Sequence, residues 1–133
     1  MSFSHRIVVS YTGGSSSISF TDTQTWGGEA NLDETIPASS DGLEVAWALA
    51  DYTTLKSLLI TADAEMTIYT NADAGGADDT FSVGPSSGIV FWTTELQADG
   101  AAVTNPISAN VTSIFVDSTA GGELQIRSSY DPS

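Results

Sequence analysis

The chain has 133 residues, contains no cysteine, and carries 17 acidic residues against three basic ones, which gives a formal net charge of −14. The absence of cysteine excludes a disulfide scaffold, a thiolate metal site and a cysteine nucleophile. The negative charge argues against binding to nucleic acid or to an anionic membrane surface, because both are themselves negatively charged. The length fits a single domain, residues 1–133, and the hydrophobic content of 41% is typical of a globular protein.

Targeting signals are not evident in the sequence. No stretch approaches the roughly 20 apolar residues of a membrane span. The apolar run Ile7–Val9 near the start is too short for the core of a signal peptide. We therefore expect synthesis in a cytoplasm without a signal peptide, and no membrane partner.

The first predicted elements form a β-hairpin. The segments "HRIVVSY" and "SISFTDTQTW" are rich in β-formers and flank the glycine-serine turn "TGGSSS". One face of the second segment carries small hydroxyl side chains, and the other face is mixed, with Ile18, Phe20, Asp22, Gln24 and Trp26. A short strand from Leu32 to Ile36 follows and is stopped by Pro37.

The middle of the chain also favours strands. The segment "LEVAWALA" alternates, and its apolar side consists of Leu43, Val45, Trp47 and Leu49. In "DYTTLK", Asp51 is suited to cap a single helical turn. Two further strands, "SLLITA" and "EMTIYTN", flank "DA", which predicts a tight hairpin.

A long amphipathic helix from Leu43 to Ala64 is the alternative for this region. It is disfavoured because the segment contains several β-branched residues and lacks a clean 3.6-residue period.

The remaining elements complete an all-β pattern. "TFSVGP" and "GIVFWTTEL" are predicted strands, and "VTSIFVDS" and "ELQIRSSY", joined by "TAGG", predict a closing hairpin. Both faces of "VTSIFVDS" carry large apolar residues, so this strand should be central or otherwise covered. Leu124 and Ile126 share one face of the last strand, while Arg127 points the opposite way. We expect Arg127 and the end "SSYDPS" to be free for an acidic neighbour at an interface.

About eight to ten short strands, with turns at intervals of about 8–12 residues, predict an antiparallel β-sandwich. We therefore expect a single all-β, jelly-roll-like sandwich with at most one short helical turn.

The sequence offers no convincing catalytic set. The only histidine, His5, opens a strand, and no serine stands in a nucleophile-elbow context. Neither glycine-rich loop contains a basic residue that could bind phosphate. A carboxylate pair such as Glu44 and Glu65 is the remaining enzymatic possibility. A hydrolase cleft usually needs a longer chain, so we expect no catalytic residue, no cofactor and no enzymatic activity.

One loop is a weak candidate for calcium binding. "NADAGGADD" places Asp73, Asp78 and Asp79 close together around Gly75 and Gly76. Since the spacing of an EF-hand is absent, a solvated acidic loop is the favoured interpretation, and no metal site is predicted.

Aromatic residues in the strands are first of all candidates for the core; they are Trp26, Trp47, Trp92, Tyr11, Tyr52 and Tyr69. A protein–protein contact and a sugar-stacking platform are the two alternatives. The residues that we select as interface candidates are Trp26, Trp92, Arg127 and Tyr130.

Three stretches, in order, cover most of the chain: "SHRIVVSYTGGSSSISFTDTQTWGGEANLDETIPAS", "AEMTIYTNADAGGADDTFSVGPSSGIVFW" and "NPISANVTSIFVDSTAGGELQIRSSYDPS". They resemble the capsid decoration, or cement, proteins of tailed bacteriophages. The resemblance rests on the "TIYTN" strand with its acidic loop, the "VFW" strand and the closing "VTSIFV…LQIR" pair.

The resemblance implies a jelly-roll-like virion protein without enzymatic activity. Such a protein forms a homo-oligomer, a dimer or trimer, on the exterior of the phage head, where it binds the major capsid protein and clamps neighbouring subunits. A carbohydrate-binding β-sandwich module or adhesin is one alternative, and a tail or baseplate component is the other.

Overall fold

The computed structural model describes residues 2–93 and 104–132. Within these ranges the chain forms eleven strands and one single-turn 3-10 helix, Tyr52–Thr54. The strands are β1 (Phe3–Gly13), β2 (Ser16–Trp26), β3 (Gly28–Glu29), β4 (Leu32–Ile36), β5 (Ser40–Val45), β6 (Leu55–Ala62), β7 (Met66–Thr70), β8 (Thr80–Val83), β9 (Ile89–Trp92), β10 (Ile114–Ser118) and β11 (Gly122–Tyr130).

Two antiparallel sheets enclose one hydrophobic core. The first sheet has the order β5-β10-β7-β8. In the second, β11 pairs with β3 and β4 on one side and with β6 on the other, and β6 pairs with β9. Side chains from both sheets meet in a shared core that includes Ile68, Val116, Leu58, Ile60 and Leu124. The predicted all-β fold is confirmed as a sandwich-like arrangement, and its jelly-roll topology stays a prediction.

Several local predictions are confirmed. Strand β4 has the predicted bounds, and Asp51 caps the 3-10 turn by accepting a hydrogen bond from the Thr53 amide at 3.0 Å. The residues of "LEVAWALA" alternate between buried and exposed, although β5 itself ends at Val45. The alternative helix from Leu43 to Ala64 is wrong, since this segment contains the end of β5, the 3-10 turn and all of β6, and no α-helix. The predicted strand "GIVFWTTEL" is present over Ile89–Trp92, and its last three residues lie outside the described ranges.

Two predicted hairpins are wrong. Strand β6 pairs with β9 and β11, whereas β7 pairs with β8 and β10, so the three residues 63–65 connect the two sheets. In the same way β10 and β11 belong to different sheets, and residues 119–121 join them. The apolar faces of each strand pair therefore point at each other across the core and do not lie side by side.

Strands β10 and β11 are nonetheless central, as the apolar pattern predicts. β10 lies between β5 and β7, and β11 has partners along both edges. Val116, Leu124 and Ile126 are completely buried. β10 therefore lies in the middle of the first sheet, and β11 in the middle of the second.

The hairpin of β1 and β2 stands apart from both sheets. The two strands pair over their full length, from Phe3↔Trp26 to Gly13↔Ser16, as a separate two-stranded sheet. Residues 8–12 and 14–21 are all exposed, whereas several residues of the other end are partly or fully buried. We call this hairpin the arm, residues 3–26, and its projecting half, residues 7–21, the distal arm.

Candidate interaction site at the base of the arm

A set of polar side chains joins the arm to the second sheet. The Trp92 indole donates a hydrogen bond to an Asp22 carboxylate oxygen at 2.8 Å. The Gln24 amide donates to the Thr93 hydroxyl at 2.9 Å, and that hydroxyl donates to the Lys56 carbonyl at 3.0 Å. Because Gln24 and Trp92 are buried, the two bonds that they donate are partly shielded from water and fix the orientation of the arm.

Two further contacts also hold the arm on the second sheet. Together with the hydrogen bonds of Asp22, Gln24 and Trp92 we call them the joint. The ammonium of Lys56 lies 4.9 Å from the centre of the Trp26 ring, a cation–π geometry, and the Trp26 indole donates to the Gln24 side chain. On β1, His5 Nε2 lies 2.6 Å from a Glu29 carboxylate oxygen. The interface candidates Trp26 and Trp92 are therefore both part of the joint within one chain.

One face of the arm carries an exposed apolar strip. Directly paired residues of a hairpin share a face, and Val9↔Phe20 and Tyr11↔Ile18 are such pairs. All four side chains are between 43% and 72% exposed. We call them the apolar strip; they continue the face on which His5, Gln24 and Trp26 contact the sheet. The opposite face carries mostly Ser and Thr, together with Val8.

A groove runs between the arm base and the outer face of the second sheet. It encloses about 360 Å³, and β1 forms one wall with residues from Ser4 to Ile7. The sheet side presents Leu59 and Val90, which are cross-strand partners and are 42% and 52% exposed. The groove therefore has an apolar floor that is open to solvent.

The basic residues of the chain are concentrated around this groove. Arg6 and Arg127 line it, and Lys56 lies over Trp26 at the arm base. These are all three of the basic residues in the sequence. In contrast, a cavity of about 670 Å³ on the outer face of the first sheet is lined by Asp41, Glu65 and Asp117 among hydroxyl side chains. The charge of the molecule is thus unevenly distributed, with its least acidic side at the arm.

The interface candidate Arg127 has partners within its own chain. Its guanidinium donates to both carboxylate oxygens of Asp33 on β4, at 2.8 and 3.1 Å, and to the Leu32 carbonyl at 3.1 Å. Hydrogen bonds from Arg127 and then from Gln125 hold the pKa of Asp33 below its ordinary value. Arg127, which we expected to be free for an acidic partner, is therefore already paired with Asp33 of its own chain, and a contact with another protein at Arg127 stays a prediction.

The last interface candidate, Tyr130, packs at the far end of β11. Its ring lies against Gly28, where an added Cβ would come within 2.2 Å of a ring carbon. Tyr130 is partly buried and contacts the hydrophobic core. Tyr130 therefore packs β3 against β11. A contact between Tyr130 and another protein stays a prediction.

The acidic loop is held together by internal hydrogen bonds. Asp78 accepts from the Asn71 side chain at 2.6 Å, and Asp79 accepts from both the amide and the hydroxyl of Ser108. Asp73 accepts from the amide of Ala74 at 2.8 Å. Among residues 2–93 and 104–132, no group of three or more His, Asp or Glu side chains is arranged to hold a metal ion.

The sequence did contain a signal for the apolar strip, although our selection of interface residues missed it. The distal arm has no charged residue in 15 positions, in a chain that has 20 charged residues among 133. Within it the apolar positions other than Val8 share a parity on each strand. Such residues ordinarily lie over a core, and only the tertiary structure shows that this stretch projects beyond it.

The chain was compared with known proteins at the level of families, sequences and structures. No family model matches it, no curated protein matches it, and no solved structure matches it. In the part of the chain that the structure describes, no helix has the length and apolar character needed to cross a membrane.

Proposed function

We propose that this chain is a non-enzymatic virion protein that decorates the exterior of a tailed-bacteriophage head and stabilises contacts between major capsid subunits. The observation that carries the proposal is the arm, whose distal part is an uncharged, partly apolar hairpin that extends beyond the domain to which the arm is anchored. The likeness of the three long sequence stretches to decoration proteins supports the same role.

An arm of this kind suits a protein that links neighbouring capsid subunits. A two-stranded hairpin is only marginally stable in water by itself, and exposed apolar side chains at its tip gain free energy when another protein covers them. The joint at Gln24 and Trp92 gives the arm a defined direction. On a capsid lattice many copies act together, so that individually modest contacts add up to firm attachment.

The proposal is tested on heads that lack this protein. Purified chain is added to expanded heads from a phage whose gene for it is deleted, and bound protein is measured after sedimentation of the heads. We expect saturable binding and an increase in the temperature at which the heads release their DNA. Failure to bind at any salt concentration would exclude the proposed function.

A second measurement separates the head from other parts of the virion. Antibodies against the chain, coupled to gold, should label heads in electron micrographs of complete phage particles. Labelling of the tail or baseplate would instead assign the protein to that structure, and would contradict decoration of the head.

A further inference from the structure

We infer that two copies of this chain associate reciprocally, with the apolar strip of each arm packed on the groove of the other. The occupant of the groove is thus the distal arm of a second, identical chain. The inference rests on the linking role proposed for the arm, but it does not depend on which shell the protein binds.

The first argument is that one face of the arm continues from its base into the apolar strip. At its base, the face of the arm that holds His5, Gln24 and Trp26 already packs on the second sheet of its own chain. The apolar strip continues this face beyond the edge of that sheet. The distal half of the arm can therefore make the same kind of contact as the base, but no described residue of its own chain covers it.

The second argument is that the same chain carries the matching surface. Among the described residues, seven large hydrophobic side chains are exposed; five are on the arm and the other two are Leu59 and Val90 on the groove floor. Burial of such side chains is the main source of association free energy. A second copy would cover the four residues of the apolar strip and the two residues of the groove floor at once, since each arm would reach the groove of its partner.

The third argument is electrostatic. Two copies with a net charge of −14 repel each other, and the repulsion is smallest where their contact surfaces carry the fewest acidic groups. The distal arm has no charged residue, and the groove is lined by Arg6, Arg127 and His5 against Glu29. This pair of surfaces is therefore the place where two identical chains can approach at the lowest electrostatic cost.

The fourth argument is geometric. Among the described strands β1 pairs only with β2, so its other edge, which borders the groove, has no strand partner within residues 2–93 and 104–132. Two β1 edges can join as an antiparallel pair around a two-fold axis perpendicular to the sheet. That axis keeps both apolar strips on the same side of the joined arms. Each strip then faces the domain of the partner, as reciprocal packing requires.

The experiment uses two neighbouring valines on opposite faces of β1. Val9 belongs to the apolar strip, whereas Val8 is on the hydroxyl face, and their exposed fractions are similar at 45% and 51%. The association of the purified chain and of the variants Val9→Ser and Val8→Ser is measured by sedimentation equilibrium. We expect wild type to dimerise and Val9→Ser to dimerise about tenfold more weakly, because each substitution acts twice in a symmetric pair.

Val8→Ser should dimerise like the wild type, and Val90→Ser, on the groove floor, should weaken dimerisation as Val9→Ser does. A wild-type chain that stays monomeric over the whole concentration series would overturn the inference, as would equal effects of Val8→Ser and Val9→Ser. This assay contains no capsid. Its failure is therefore distinct from a failure to bind phage heads, which would instead contradict the proposed function.

Discussion

At the level of single residues, Leu58 and Leu59 are neighbours in β6 that point to opposite sides of the same sheet. Leu58 is 2% exposed and belongs to the core, whereas Leu59 is 42% exposed on the groove floor. We predict that Leu58→Ala lowers the free energy of unfolding by about 2–5 kcal/mol, and Leu59→Ala by at most about 1 kcal/mol. Urea unfolding of dilute protein measures both. Equal losses would show that β6 does not have one core face and one open face.

The ion pair of Arg127 and Asp33 predicts a pH effect with a defined sign. Hydrogen bonds from Arg127, and then from Gln125, lower the pKa of Asp33 in the folded chain. Deprotonated Asp33 therefore contributes stability above the ordinary pKa of aspartate, and this contribution is lost as the pH falls through the lowered value. Both side chains are partly exposed to solvent, at 41% for Arg127 and 57% for Asp33, so the contribution to stability is small.

Titration followed by NMR of the Asp33 carboxyl carbon is the measurement. We expect a midpoint below that of an exposed aspartate, and an increase toward the ordinary value in Arg127→Gln. Gln125→Ala is the matched comparison and should produce a smaller increase, because the Arg127 bond is the larger cause. An unchanged midpoint in Arg127→Gln would mean that the pair does not persist in solution.

At the level of elements, the backbone amides of the arm should be the least protected from hydrogen exchange among the described sheets. Strands β10 and β11 have partners on both edges and are largely buried, while β1 and β2 pair only with each other. We predict that backbone amides of the distal arm exchange with solvent orders of magnitude faster than those of β11 in dilute protein. Hydrogen exchange followed by NMR measures this, and protection in the arm should rise with protein concentration.

The Gln24→Ala variant provides a control for the joint, since it removes the hydrogen bonds to Thr93 and Trp26. Exchange in the proximal part of the arm should become faster in this variant, and exchange in β11 should not change. If the distal arm of dilute wild type were as protected as β11, the arm could not be a separate two-stranded sheet.

The strands themselves could be predicted from the sequence, because burial of one face imposes a period of two on segments such as β7, β8 and β10. The pairing of the strands could not be predicted from the sequence. Residues 63–65 and 119–121 are short turn-like connections between alternating strands, and such connections fit a hairpin or a crossing between sheets equally well. The choice is made by distant partners, since β6 pairs with β11 and β7 with β10.

The candidate site shows the same limit. Selection of aromatic and cationic residues did identify Trp26, Trp92 and Arg127, which the fold brings to the arm base. It did not identify Val9 or Phe20, because a strand that projects from a domain has the same alternation as a strand that covers a core. Exposure of an apolar face is a property of the tertiary structure, and the uncharged run of the distal arm was the only trace of it in the sequence.

At the level of the whole molecule, the charge of −14 predicts how association depends on salt. Repulsion between two such chains is long-ranged at low ionic strength, where the Debye length is about 30 Å at 0.01 M salt, and is screened to about 8 Å at 0.15 M. We therefore expect dimerisation to strengthen as salt is added. Sedimentation equilibrium at both salt concentrations measures it, with circular dichroism to establish that the chain is folded in each.

A dimerisation affinity that is the same at both salt concentrations would show that apolar contact alone decides association. A dimer that weakens with salt would contradict the distribution of charge described above, because it would require attraction between opposite charges across the interface.

Reciprocal packing of the arm on the groove is the central structural claim, and a cross-linking measurement tests it most directly. The chain has no cysteine, so single-cysteine variants have no background reactivity. Val9→Cys, on the apolar strip, is mixed with Val90→Cys, on the groove floor, and treated with a short thiol-specific cross-linker. Because each molecule carries one cysteine, every cross-link joins two molecules. We predict a cross-linked dimer that contains one chain of each variant, and a much lower yield when Val8→Cys replaces Val9→Cys. Equal yields with Val8→Cys and Val9→Cys, or no mixed dimer at all, would contradict the reciprocal arrangement.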